Sequence, residues 1–97
     1  MTAAPSEPAA GILAYTRQAI TGLAGAGPSS SYHNSEIDTC TWRTELLFVD
    51  VLLDAGTLYI HAQRPGTNHY LLCAHIHDPS RAAVDSALGN LAARAGL

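Results

Sequence analysis

Two stretches of strict alternation constrain this chain more than any other feature of its sequence. In residues 57–63, Leu58, Ile60 and Ala62 alternate with Tyr59, His61 and Gln63; in residues 69–77, Tyr70, Leu72, Ala74 and Ile76 alternate with His69, Leu71, Cys73, His75 and His77. A period of two marks a strand with one face dry and the other wet, so the even-numbered side chains are expected to meet a core. The RPGTN segment between them, residues 64–68, has the glycine, proline and asparagine of a turn. The two strands are therefore expected to pair antiparallel.

Upstream, residues 36–53 are rich in Thr, Trp, Val, Leu, Ile and Phe, which fit a pleated surface. No Gly, Pro or Asn interrupts them, so this segment is expected to be one long bent strand or two strands. Asp54-Ala55-Gly56 reads as a three-residue hairpin connection in which Gly takes the left-handed position, setting Leu53 against Thr57. That register aligns Asp50 with Ile60 on the apolar face. A buried carboxylate must be paired or held neutral, and Arg17, Arg81, Arg94 or a helix-end amide are its expected partners. Catalysis by Asp50 as an acid or base is the less favoured reading, because no nucleophile or second carboxylate is spaced to work with it.

Both ends of the chain change period. Ile12, Tyr15, Ala19, Ile20 and Leu23 fall on one helical stripe in residues 8–24, with Ser6 as N-cap and Gly25 and Gly27 as stops. Near the other end, Asp78-Pro79 reads as a cap and first helical residue. Val84, Ala87, Leu88, Leu91 and Ala95 form that helix's inward stripe, and Gly96 ends it. Residues 25–35 (GAGPSSSYHNS) have no apolar period and read as a loop or lid. The fold class expected is α+β: a three- to four-stranded antiparallel β-meander with an N-terminal and a C-terminal helix packed on the sheet. Residues 1–7 are expected to form a flexible N-terminus, and residues 8–97 a single domain.

Composition narrows the function classes. A chain of 97 residues buries a smaller share of its surface than a larger domain. Only 13% of its residues are charged, against about 25% in an ordinary soluble domain, and so thin a polar surface favours self-association. The net charge of −3 supplies no field to gather phosphate backbones or anionic lipid, which argues against nucleic acid and membrane as partners. All five cations are arginine, which suits carboxylate pairing and equally the codon bias of a GC-rich genome. The first ten residues lack the basic and apolar regions of a signal peptide. Cys40 and Cys73 are accordingly expected to be reduced and the protein cytoplasmic.

The odd-numbered face gathers the chemistry. Tyr59, His61, His69, Cys73, His75 and His77 share it if the hairpin keeps its apolar sides in register, with His61 across from His69, or Tyr59 across from Cys73 and His61 across from Leu71. His75 and His77 with His61 or Cys73 are a ligand set suited to Zn²⁺. Cys-x-His-x-His is not a specific metal spacing, however, and a third ligand from the neighbouring strand fits only in particular registers. No metal and no cofactor is therefore expected, and a titrating histidine interface is a third reading. Glu36 and Asp38, suited to a hard cation, are expected to be a solvated edge with Arg43. The favoured function is a non-enzymatic protein-binding or adaptor module, homodimeric through an apolar sheet face of Leu47, Val49, Val51, Leu53, Tyr59, His61, Leu71, Cys73 and His75. The alternative is a small enzyme or metal-binding protein using the His/Cys/Tyr cluster.

Overall fold

The alternating segments form strands and the striped segments form helices. The computed structural model describes residues 9–97, which run in chain order through α1 (Ala9–Ala24), β1 (Ser30–His33), β2 (Ile37–Arg43), β3 (Phe48–Asp54), β4 (Thr57–Gln63), β5 (Tyr70–His77) and α2 (Arg81–Ala95). All five strands join one sheet in the order β1-β2-β3-β4-β5, each neighbouring pair antiparallel. The α+β meander with a helix at each end is present, with five strands where three or four were expected. Ser6 and the N-terminal segment lie outside the described residues.

The extra strand is β1, inside the segment read as a loop. All four of its side chains are exposed, so no apolar period announces it; its backbone pairs with β2 from Ser30↔Thr41 to His33↔Asp38. The turn that follows is built on Asn34, whose Oδ1 accepts from the amides of Glu36 at 2.7 Å and Ile37 at 2.8 Å. Residues 36–53 resolve into two strands about a turn that contains none of the usual breakers. There Thr44 Oγ1 accepts from the amides of Leu46 and Leu47 at 3.2 and 3.0 Å, a hydroxyl doing the work of an Asx side chain.

The β3–β4 turn corrects the expected register. Ala55 and Gly56 are both left-handed, with φ of 50° and 81°, and Asp54 pairs with Thr57. This is a two-residue turn of the primed type, whose twist matches the flanking strands. One residue of slip moves every side chain of β3 to the opposite face. Val49, Val51 and Leu53 therefore sit opposite Ala62, Ile60 and Leu58, on the dry side. Asp50 is exposed and sits opposite His61, so the expectation of a buried carboxylate is overturned.

Both helices cover that dry side. Ile12, Ile20 and Ala24 of α1 and Val84, Leu88 and Leu91 of α2 belong to one cluster with Trp42, Val51 and Ile60 of the sheet. Trp42 is fully buried, and its Nε1 has no hydrogen-bond partner among the described residues. The second helix starts two residues later than Asp78-Pro79 implied. Ser80 is its N-cap, accepting from the amide of Ala83 at 3.2 Å, while Asp78 has a φ of 49°. Gly96 closes it in the left-handed conformation, as expected of a glycine there. Neither helix is long and apolar enough to cross a membrane.

Candidate functional site

With both helices on one side, no described residue covers the other side of the sheet, and the register sorts its side chains into rows. Arg43, Phe48, Gln63 and Tyr70 form one row; Thr41, Asp50, His61 and Cys73 the next; Thr39, Leu52, Tyr59 and His75 the third; Ile37, Asp54, Thr57 and His77 the last. Apolar and aromatic groups lie mainly in the first and third rows. The second carries Asp50, His61 and Cys73, with His75 in the third row and Asp54 and His77 in the fourth.

The expected interface residues divide between the two sides. Tyr59, His61, Cys73 and His75 occupy the open face together. Leu47, Val49, Val51 and Leu53 are instead buried, each at most 6% exposed, because the shorter β3–β4 turn rotates β3 and because Leu47 leaves the Thr44 turn pointing inward. Leu71 is the extra residue of a bulge, since Ala62 pairs with Leu72 and Gln63 with Tyr70. It packs against the edge of the core, and its carbonyl accepts from Arg94 Nη1 at 3.0 Å. The bulge also yields a cross-strand register that the sequence did not suggest: His61 faces Cys73 and Tyr59 faces His75. His69 lies in the turn and is exposed.

On the open face the rings touch. Tyr59 meets His75 edge-on with centroids 4.8 Å apart, and Tyr70 meets His61 edge-on at 5.8 Å. His61 and His75, diagonal neighbours across β4 and β5, bring their Nε2 atoms to 3.0 Å. Cys73 completes a trio whose ligand atoms all lie within 4.8 Å of one another. Asp50, the neighbour of His61 on β3, accepts from Thr41 Oγ1 at 3.0 Å. Farther along, Thr57 Oγ1 and His77 Nδ1 are 3.0 Å apart. Sequence reasoning missed Phe48, Leu52 and Tyr70 as members of this surface; Arg43 lies over the Phe48 ring, 4.9 Å from its centroid.

The arginines do not serve Asp50. Arg17 donates to Cys40 Sγ at 3.3 Å, Arg81 lies over the Tyr15 ring at 4.8 Å, and Arg94 binds the Leu71 carbonyl. Asp38 pairs with His33, and Glu36 belongs to the Asn34 turn, so neither forms the expected edge with Arg43. A shallow groove between α1 and α2 is lined by Ala19, Leu23, Asp85, Leu88, Gly89 and Ala92. Its one carboxylate, Asp85, is already engaged by the Tyr15 hydroxyl, which leaves the groove without a free reactive group. No protein-family model, curated protein or solved structure matches this chain.

Proposed function

We propose that this chain is a small, non-enzymatic binding module that pairs with a second copy of itself through the open face of its sheet. The observation that carries this reading is the one-sided placement of the helices, which leaves Phe48, Leu52, Tyr59 and Tyr70 on a face that no other described element covers. Apolar side chains gathered on one open face mark a contact site, and here they stand in two rows with Asp50, His61 and Cys73 between them. Five strands of about seven residues project to roughly 500 Å² at ordinary strand spacing and rise. Side-chain relief brings this toward the roughly 800 Å² per partner of a standard interface.

A second copy suits the surface better than a strongly charged partner. The face carries Arg43 together with Asp50 and Asp54, so both signs of charge are present among threonines and rings. An isologous contact requires one patch to complement itself, and a patch of mixed sign can do so. Stacking two such sheets would also hide part of the apolar surface that a chain with 13% charged residues leaves wet. The resulting module would be a four-layer sandwich, helices outside and sheets inside.

Sedimentation equilibrium over micromolar concentrations tests the reading. The wild type is expected at twice the chain mass of 10.2 kDa, and Leu52→Asp at the chain mass, because a charge would enter a dry contact without a partner. A wild type that stays monomeric throughout that range would reject self-pairing.

A further inference from the structure

We propose that His61, Cys73 and His75 form a site for one borderline-soft transition-metal ion, with Zn²⁺ as the reference ion, on the open face where β4 meets β5. This goes beyond the self-pairing reading and does not depend on it. The register is what creates the site: direct opposition brings Cys73 to His61, and the diagonal brings His75 to the same point. Three of the four ligands of a tetrahedral ion thus come from two hydrogen-bonded strands, whose backbones limit how far the ligands can drift.

The distances are close to those an ion would set. With Zn–N near 2.0–2.1 Å and Zn–S near 2.3 Å, tetrahedral angles place neighbouring nitrogens about 3.4 Å apart and nitrogen from sulfur about 3.6 Å. The two Nε2 atoms are at 3.0 Å, so they need part by only a few tenths of an ångström. The widest separation in the trio is within 4.8 Å, which a rotation of the exposed Cys73 side chain can shorten. Two imidazole nitrogens facing each other so closely must share a proton or a cation, because two N–H groups there would repel. A metal ion satisfies both at once.

The surroundings suit the same purpose. Tyr59 and Tyr70 pack edge-on against the two imidazoles and restrict their rotation. Asp50, which accepts from Thr41, sits across from His61 on the neighbouring strand and puts a negative charge on the same row as the site. Cys73 is free and exposed, whereas Cys40 is buried on the opposite side of the sheet. The intervening sheet keeps the two from forming a disulfide within one chain, so the Cys73 sulfur remains available to a metal. Imidazole and thiolate together select zinc or copper over magnesium or calcium. Three protein ligands leave the fourth position to water in the single chain and, where the face is paired, to a group from the second copy.

The test uses the untagged full chain, reduced and free of metal, titrated with Zn²⁺ against a chromogenic chelator and separately with Co²⁺. One ion per chain is expected, and Co²⁺ should develop a thiolate charge-transfer band in the near ultraviolet that Cys73→Ser abolishes. His61→Gln, His75→Gln and Cys73→Ser should each weaken Zn²⁺ binding by at least about tenfold, the lower end of what losing even an outer partner of a ligand costs. His77→Gln, which alters a neighbouring histidine outside the trio, should leave binding within twofold. Leu52→Asp should retain the ion, which separates this proposal from the fate of the dimer. Circular dichroism of each metal-free variant verifies that the fold is intact. Absence of saturable binding by the wild type, or binding that survives all three trio substitutions in folded protein, would overturn the site.

Discussion

Neighbouring residues of β3 live in opposite worlds. Val51 is 1% exposed beneath the helices, while Leu52 lies on the open face between Thr39 and Tyr59. Both are aliphatic, so composition does not separate them; the Ala55–Gly56 turn does, by fixing which parity of β3 faces inward. The lesson is that one turn decides which of two similar sets of side chains builds the core and which is left on the open face that we propose as a contact surface. Aspartate at each position separates them most sharply. Val51→Asp places an unpaired charge in the core, a loss of about 3–5 kcal/mol from the charge alone, and that approaches the whole stability of a small domain, roughly 5–15 kcal/mol. Urea denaturation should find it largely unfolded, whereas Leu52→Asp should fold and lose only its partner. If both variants unfold alike, the two faces do not differ as described.

The next contrast runs along β4. Ile60 is fully buried and Tyr59 beside it is half-buried on the open face. Measured in the Leu52→Asp background, where no dimer complicates unfolding, Ile60→Ala should cost about 2–5 kcal/mol through lost burial and the cavity left behind. Tyr59→Ala should cost less than about 1 kcal/mol there, in keeping with substitutions on open surface. Equal losses in urea midpoints would mean that the open face contributes to the monomer's own core.

Much of this division was legible in the sequence, and the failures have identifiable physical causes. In β4, Leu58, Ile60 and Ala62 announced their side correctly because the residues between them are polar or aromatic. The stripe of Val84, Leu88 and Leu91 likewise identified the buried side of α2. β3 carried a cue that was overridden: Asp50 and Asp54 share the parity of Phe48 and Leu52 and mark that side as wet against Val49, Val51 and Leu53, yet two large apolar residues among them let the turn decide the reading. Its orientation depended on one turn, where three residues were assumed and two are used. β1 carries its information in backbone pairing, which side-chain patterns do not record. The sequence grouped His75 and His77 with His61 or Cys73 and favoured no metal; the convergence of His61, Cys73 and His75 depends on a bulge at Leu71 that places Cys73 across from His61.

The smallest expected effect sharpens the same comparison at its origin. Ala55 holds a φ of 50°, a conformation that costs a residue with a Cβ about 1–2 kcal/mol. Glycine would relieve that strain while adding about 0.4–1 kcal/mol of unfolded-state freedom. Ala55→Gly should therefore stabilise the fold by about 0.5 kcal/mol in urea denaturation. A clear loss of stability would show that the turn, and with it the register separating the two faces, is not of this form.

The central claim is that the open face meets its own copy. It is tested most directly by mixing isotope-labelled and unlabelled chains and recording only the proton contacts that pass from one to the other. Self-pairing predicts intermolecular contacts from the side chains of Phe48, Leu52 and Tyr59, and none from Val51 or Ile60. Contacts confined within single chains at concentrations well above micromolar, or intermolecular contacts only from the outer faces of the helices, would contradict it.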